Sequence, residues 1–240
     1  MRKLNVAVIL SAGLGLRFKK NHHSSLKQLV KISGKTCLEH ILERFEGHKK
    51  IDEIILVVSK ESKKVQEEIV RRNHFKKVKK VILGGVTRQE SSKNGVFACD
   101  FRKTGKILIH DATRPFLSEE IINKIIEALD SYKAVTVGIP LVDTILKVNK
   151  KNLIVGIPQR THFRREQTPQ GFNPQIIKKA HQLAIKENFK EATDDCGLVK
   201  KYGLSKILVV SGEEENLKIT YPLDLYLAKK LFQMKNSEKK

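Results

Sequence analysis

Short apolar runs alternate with amphipathic segments along most of the chain, and this alternation restricts the fold more than any other feature. Residues 6–10 and 54–58 are continuous apolar runs, which are typical of strands buried on both faces. Residues 37–45, between them, have apolar side chains at helical spacing. Such an alternation predicts an α/β fold with right-handed crossovers and a mostly parallel sheet covered by helices on both faces. The predicted strands are residues 6–10, 54–58, 81–83, 107–109, 134–139 and 207–210, and the predicted helices are 37–45, 61–72, 91–98, 119–129, 174–185 and 222–232.

One segment departs from this alternation. Residues 141–168 contain strand-like pieces but no amphipathic helix. Connections of this length are usually functional or in contact with a partner. Elsewhere the sequence shows no internal repeat and no linker rich in Pro, Gly or Ser. We therefore predict a single domain over residues 1–240.

The chain is strongly basic, with 47 Lys and Arg against 26 Asp and Glu and a formal net charge of +21. Such a charge is compatible with nucleic-acid binding, and residues 60–80 contain nine basic side chains against three acidic ones. However, aromatic residues make up only 6% of the chain and Trp is absent, which leaves little for base stacking. Signatures of helix-turn-helix, zinc-finger and RRM proteins are also absent. We predict that nucleic acid is not a partner.

The cysteines and the apolar runs indicate the compartment. Cys37, Cys99 and Cys196 are odd in number and far apart, which argues against a disulfide framework and for a reducing environment. No apolar run approaches the ~20 residues that cross a bilayer. No small-residue cleavage site follows the first apolar run. We expect a soluble, cytoplasmic protein with no membrane partner.

Glycines and cations follow the first predicted strand. In open α/β sheets, ligands bind beyond the carboxyl ends of the strands. Gly13 and Gly15 lack side chains there, so backbone N–H groups can approach a polyphosphate closely. Arg17 and Lys27 follow and can neutralise its charge. The loop is neither a dinucleotide fingerprint nor a Walker loop, and two glycines alone also fit a plain turn.

Asp111 directly follows another predicted strand. A carboxylate in this position can hold a divalent cation on a nucleotide phosphate. The alternative is that Asp111 caps a turn or pairs with the nearby Arg114.

Seven motifs in one order resemble a known family. They are Gly-x-Gly-x-Arg with a downstream Lys, GGVTRQES, HDATRPF, DTI, QTPQGF, TDD and NLKIT. Together they resemble the 2-C-methyl-D-erythritol 4-phosphate cytidylyltransferases and the related ribitol-5-phosphate cytidylyltransferases, from residue 6 to about residue 232. The resemblance implies a Rossmann-like three-layer α/β/α nucleotidyltransferase with a projecting β arm at residues 141–160. It also implies magnesium, CTP and an alditol phosphate as ligands, and a homodimer formed through the arm.

The resemblance also implies residue roles. The catalytic cations would be Arg17, Lys27 and Lys218, which would stabilise charge on the attacked α-phosphate. The nucleotide would be bound by Ala12, Gly13, Gly15, Gly85, Arg88, Ser91, Asp111 and Ala112, and Asp111 would also lie near the metal. The acceptor would be bound by Arg114, Thr144, Arg160, Thr168, Thr193 and Asp194, with Thr144 and Arg160 coming from the neighbouring subunit.

Two questions stay open in the sequence. GGVTRQES, HDATRPF and QTPQGF are closer to the methylerythritol phosphate enzymes, whereas Arg160-Thr161-His162 and Cys196 resemble the ribitol phosphate group. We expect the methylerythritol acceptor, with ribitol 5-phosphate as the alternative. The second question concerns Asp195, which we expect to cap a helix in which Cys196 is a packing residue rather than a nucleophile.

Overall fold

The secondary structure follows the predicted alternation in the computed structural model, which describes residues 2–13 and 26–237. The strands are β1 (Leu4–Ser11), β2 (Lys31–Ile32), β3 (Lys35–Thr36), β4 (Glu53–Val58), β5 (Val78–Leu83), β6 (Thr104–Asp111), β7 (Ala134–Pro140), β8 (Lys147–Val148), β9 (Ile154–Gly156), β10 (Arg164–Phe172) and β11 (Ile207–Ser211). The helices are α1 (Cys37–Gly47), α2 (Lys63–Arg72), α3 (Arg88–Phe97), α4 (Glu119–Ala128), α5 (Pro174–Lys186), α6 (Asp195–Lys201) and α7 (Pro222–Ser237). Short 3-10 turns lie at Lys27–Leu29 and Arg160–His162.

Seven strands form the central sheet, in the order β11-β7-β10-β6-β1-β4-β5. Strands β1, β4, β5 and β6 pair in parallel, as do β7 and β11. β10 is antiparallel to both of its neighbours, β6 and β7. The predicted mostly parallel sheet is therefore confirmed.

Alternating side chains of β1 face two separate cores. Ala7 and Ile9 pack in a core with residues of α1 and α4. Val6, Val8 and Leu10 pack in a second core with residues of α3, α5 and α6. Because successive side chains of a strand point to opposite faces, helices cover both faces of the sheet. This arrangement confirms the expected three-layer α/β/α fold.

Side-chain caps set where three of the helices begin. α3 starts before the predicted residue 91, because Thr87 and Glu90 form a capping box. Ser118 caps α4, since its hydroxyl accepts from Ile121 N over 3.2 Å. The expectation that Asp195 caps a helix is wrong. Asp194 caps α6 instead, since its carboxylate accepts from the N–H of Gly197 over 2.6 Å.

Residues 141–163 leave the central sheet between β7 and β10. β8 and β9 form a two-stranded antiparallel sheet of their own in this arm. Its large apolar side chains are exposed: Val142, Leu146, Val148, Leu153, Ile154, Val155, Ile157 and Phe163. The arm was predicted over residues 141–160, and the chain rejoins the sheet at Arg164.

The interior position of β10 was not predicted. Its buried side chains include Gln167, Thr168 and Gln170, which are polar. An interior strand usually consists of apolar residues, so the pattern of this segment gives no strand signal. Gln167 Nε2 donates to Glu213 O over 2.7 Å, and the hydrogen bonds of Thr168 and Gln170 are described below.

The three cysteines are free and buried, as expected for packing residues. Burial raises the pKa of both Cys37 and Cys99 to about 12, so neither thiol is reactive at neutral pH. Within the described residues, no helix is both long and apolar enough to cross a membrane.

Candidate functional site

The candidate site lies where β1 and β6 end side by side. In their parallel pairing Leu10 is opposite Asp111, the last residue of β6. Ala112 N donates to Leu10 O over 3.0 Å, which holds the two strand ends together. Ala12 and Gly13 follow β1, so four of the predicted nucleotide-binding residues lie at this edge of the sheet. Gly15 and Arg17 lie outside the described residues.

The loop before α3 packs directly on this edge. A Cβ atom added to Gly84 would lie 2.5 Å from the Ala12 Cβ and 2.7 Å from the Ser91 Oγ. The Ser91 hydroxyl donates to Thr87 O over 3.0 Å and accepts from Gly85 N over 3.1 Å. Gly85 and Ser91 were predicted, whereas Gly84 was not, and only its close approach to Ala12 identifies it.

Four charged side chains form a chain of ion pairs at the site, and we call them the charge quartet. Lys218 Nζ lies 2.5 Å from Asp111 Oδ2, and Arg88 Nε lies 3.4 Å from Asp111 Oδ1. Arg88 NH1 lies 2.9 Å from Asp195 Oδ2. Both Lys218–Asp111 and Arg88–Asp195 are 107 residues apart in the sequence. Asp195 was expected only as a helix cap, so its place in the quartet is a finding of the structure.

The Asp111 carboxylate is anionic at every physiological pH. Burial alone would raise its pKa, but the positive charges of Arg88, Lys218 and Arg114 hold that pKa well below the usual range. Asp111 therefore pairs with cations and does not act as a proton donor.

The end of β6 is tied to β10 and to the loop after β11. Thr168 Oγ1 accepts from Asp111 N over 3.2 Å and lies 3.0 Å from His110 Nδ1. Asn216 Nδ2 donates to Thr168 O over 2.9 Å. These bonds fix the loop that carries Lys218. Asn216 was not predicted individually, although it begins the NLKIT motif.

Arg114 lies beneath this loop and is nearly buried. Its NH1 donates to Asn216 O over 2.7 Å and its NH2 donates to Glu166 O over 3.2 Å. Both terminal nitrogens of the guanidinium thus donate to backbone carbonyl groups. The predicted acceptor-binding residue thus also holds β10 against the Lys218 loop.

A second polar group lies next to α6. Thr193 Oγ1 donates to Asp194 Oδ2 over 3.2 Å, and Gln170 Nε2 donates to Asp194 Oδ1 over 3.1 Å. The Glu166 carboxylate accepts from Thr136 Oγ1 over 2.9 Å and also from Gln170. The structure thus brings the predicted Thr193 and Asp194 together with Glu166 and Gln170. Glu166 was missed, because it lies in a segment without a clear pattern.

Two places could hold a metal ion, a cluster of three side chains and the single carboxylate of Asp111. Ligand atoms of Glu166, Asp194 and Cys196 lie within 4.8 Å of one another. Burial, together with the carboxylates, raises the pKa of Cys196 well above its usual value, so the sulfur is a protonated thiol. A protonated thiol is not a ligand for magnesium, which takes oxygen ligands. Asp111 fits magnesium better, because it is an ionised carboxylate at the predicted phosphate site.

Lys27 lies close to the end of β1. It is buried at the start of the 3-10 turn Lys27–Leu29. The next residue, Gln28, donates from Nε2 to Ser11 O over 2.9 Å, which fixes the turn to the strand end. The structure therefore places the backbone of Lys27 near the end of β1.

Thr144 and Arg160 lie in the arm and are exposed. The Arg160 guanidinium donates to the carbonyl of Val142, also in the arm. In the described part of the chain, neither residue makes a hydrogen bond or ion pair with the charge quartet.

Known proteins resemble this chain over its whole length. The family model of 2-C-methyl-D-erythritol 4-phosphate cytidylyltransferase, IspD, matches residues 5–234. A bifunctional ribulose 5-phosphate reductase/CDP-ribitol pyrophosphorylase, Bcs1, of Haemophilus influenzae is 42% identical over 235 residues, or 97% of this chain. The chain spans only 49% of the length of that relative. The 2-C-methyl-D-erythritol 4-phosphate cytidylyltransferase of Alkaliphilus metalliredigens is 39% identical over 96% of this chain and 94% of the relative.

A solved structure agrees with both the fold and the family. The 4-diphosphocytidyl-2C-methyl-D-erythritol synthase of Anaerococcus prevotii superposes with a TM-score of 0.84 at 30% sequence identity, and the match covers 96% of each chain. These matches confirm the resemblance and the expected enzyme class, nucleotidyltransferase. The chain belongs to the IspD family of cytidylyltransferases.

Proposed function

We propose that this chain transfers the cytidylyl group of CTP to the phosphate of a polyol phosphate and releases pyrophosphate. The observation that carries the proposal is the charge quartet, in which Lys218 and Arg88 meet Asp111 at the adjoining ends of β1 and β6. This is the edge of an open α/β sheet at which ligands bind.

The reaction needs positioning and positive charge rather than an activated nucleophile. An oxygen of the acceptor phosphate forms a bond to the α-phosphorus of CTP, and the bond to the β-phosphate breaks, with its electron pair leaving on pyrophosphate. Because the acceptor phosphate is already an anion, no Ser-His or Cys-His pair is required. Arg17, Lys27 and Lys218 stabilise the negative charge that develops at the α-phosphate.

The nucleotide base is held by the loop between β5 and α3. Gly85 and Ser91 offer backbone groups and a hydroxyl, and Gly84 allows this loop to approach Ala12. Asp111 would hold a divalent cation, which, when bound, neutralises charge on the phosphates of CTP. The Lys218 side chain is 36% exposed, so its ammonium can move from Asp111 to a phosphate.

Two acceptors have specific support. 2-C-methyl-D-erythritol 4-phosphate is favoured by the name of the family model and by the Alkaliphilus relative. Ribitol 5-phosphate is the second candidate, because the Haemophilus relative, whose name includes CDP-ribitol pyrophosphorylase, is 42% identical. The two acceptors differ in the number and placement of their hydroxyl groups, which polar side chains such as Thr168, Thr193 and Asp194 would distinguish.

The purified chain tests the proposal directly. It is incubated with CTP, magnesium and each acceptor in turn, and release of pyrophosphate and formation of the CDP-polyol are followed by 31P NMR. Turnover with one of the two acceptors supports the function and identifies the acceptor. No turnover with either acceptor would reject the proposal.

Variants of the catalytic cations test their roles. Lys27→Ala and Arg17→Ala should lower turnover much more than they weaken CTP binding, because both stabilise charge that develops during the reaction. Lys124→Ala is a matched control, since Lys124 pairs with Glu120 on the surface of α4. Near-normal turnover in both site variants would contradict the assigned roles.

The arm supports a homodimer as part of the proposal. Its exposed apolar side chains suit an interface with a second copy, and apolar patches of this kind mark sites of interaction. A neighbouring arm would bring Thr144 and Arg160 to the acceptor site of this chain. Sedimentation velocity measures the dimer, and a monomeric, fully active protein would reject this assignment.

A further inference from the structure

Asp195 is a buried carboxylate next to the proposed nucleotide site, and the reaction outlined above does not use it. Its side chain is only 2% exposed. Burial of a charge is unfavourable unless a partner compensates it. Helix capping does not explain its position, because Asp194 caps α6.

Two helices contact the Asp195 carboxylate, and β10 holds its backbone. Oδ2 accepts from Arg88 NH1 over 2.9 Å, and Oδ1 accepts from the Ser92 hydroxyl, both from α3. His181 Nε2, on α5, lies 3.5 Å from Oδ1. The backbone N–H of Asp195 donates to Gln170 Oε1 over 3.0 Å. The carboxylate is therefore a fixed anchor for Arg88.

Arg88 lies between two carboxylates that hold it unequally. Its contact with Asp195 is 2.9 Å, whereas its contact with Asp111 is 3.4 Å. Lys218 occupies the other oxygen of Asp111. Without the charge on Asp195, the guanidinium would move toward Asp111 and compete there with Lys218.

We propose that Asp195 is a positioning residue for cytidylyl transfer. It holds Arg88 back from full contact with Asp111, and so keeps Asp111 and Lys218 placed for the nucleotide. This inference rests on the proposed function, because it takes the charge quartet as part of the nucleotide site. Removing the charge of one partner of a buried ion pair also lowers stability, so the readout specific to this proposal is the use of CTP.

Asp195→Asn tests the proposal, because it removes the charge and preserves the size of the side chain. We expect kcat/KM for CTP to fall about tenfold while KM for the acceptor stays unchanged. In an Arg88→Met background the same substitution should change kcat/KM by less than about twofold, because Asp195 acts through Arg88. Equal losses in both backgrounds, or an unchanged kcat/KM for CTP in Asp195→Asn, would overturn the proposal.

Two further variants keep the test decisive. Ser92→Ala retains the charge of Asp195 and removes one of its hydrogen bonds. We expect kcat/KM for CTP to fall about threefold in the wild-type background and to stay unchanged in the Arg88→Met background. It replaces Asp195→Asn if that variant does not fold, and equal losses in both backgrounds then overturn the proposal.

Glu39→Gln is the control, since Glu39 is a buried carboxylate paired with Arg72 in α2. It should lower thermal stability and leave KM for CTP unchanged.

Turnover by the wild-type protein separates the two proposals. If wild-type protein does not use CTP with either polyol phosphate, the proposed function fails. If wild-type protein does use CTP and Asp195→Asn has the same kcat/KM for CTP, only the proposed role of Asp195 fails.

Discussion

Gly84→Ala should damage CTP use, because Gly84 lets the loop that we propose to bind the base approach Ala12 at the end of β1. The new Cβ would lie 2.5 Å from the Ala12 Cβ, whereas carbon atoms in contact are about 3.5–4.0 Å apart. Ala12 has no rotamer that relieves this overlap, so the loop must shift by about 1 Å. The Ser91 hydroxyl, 2.7 Å from the new atom, can rotate away only by losing its bonds to Gly85 and Thr87.

The expected effect follows from these two losses. Overpacking contributes about 1–3 kcal/mol and a lost hydrogen bond about 1 kcal/mol, so the stability should fall by about 2–4 kcal/mol. A displacement of about 1 Å at a reactive site lowers the rate by about 10²-fold, and we expect a loss of this order in kcat/KM for CTP. Steady-state kinetics at saturating acceptor, together with thermal unfolding, measure both quantities.

Gly47→Ala is the matched control for this prediction. Gly47 ends α1, and a Cβ added there would have nothing within 4 Å. Alanine should stabilise the helix by about 0.5–1 kcal/mol and leave the kinetics unchanged. A folded Gly84→Ala protein with kcat/KM for CTP within about twofold of wild type would refute the argument from close packing.

Three further perturbations test the electrostatics and the arm. Burial alone would raise the pKa of Glu39, but hydrogen bonds from Thr36 and Arg72 lower it to about 2. Because an unfolded Glu has a pKa of about 4.3, the stability difference between wild type and Glu39→Gln should be complete above that pH and should shrink as the pH falls toward 2, as measured by chemical denaturation. Burial lowers the pKa of His110 to about 3, so NMR should find its imidazole neutral at pH 5. The free energy of unfolding should decline as the pH falls below about 6.5, because His110 then binds a proton in the unfolded chain but not in the folded one. Ile157→Asp places a charge on the exposed arm, and sedimentation should show a shift toward monomer without loss of thermal stability; an unchanged dimer would exclude this residue from the interface.

Much of the fold could be predicted because its signals are local. Continuous apolar runs and helical periodicity depend on residues a few positions apart, so the alternation of strands and helices is visible without tertiary contacts. Cys196 was likewise expected to pack in a helix, and it is buried in α6. β10 could not be predicted, because its buried Gln and Thr side chains bond to partners far away in the sequence, such as Glu213 for Gln167 and Asp111 for Thr168.

The candidate site could be predicted in part. The sequence indicated Asp111, Arg88, Ser91 and Lys218 through the order of their motifs, and the structure brings the four together at the ends of β1 and β6. Roles that depend on contact geometry were not visible. Asp194 and Asp195 are adjacent and chemically identical, yet one caps α6 and the other anchors Arg88.

The sequence by itself determined the α/β architecture, the family and the types of side chain that the chemistry requires. Periodicity specifies which face of each element is buried, and ordered motifs specify which residues reach the strand ends. Only the tertiary structure decided how the cations and carboxylates pair, because the partners Lys218–Asp111 and Arg88–Asp195 are each 107 residues apart. The strength of such ion pairs, and the direction in which they shift the pKa of their members, depend on distance and burial. Both are defined only once the chain has folded.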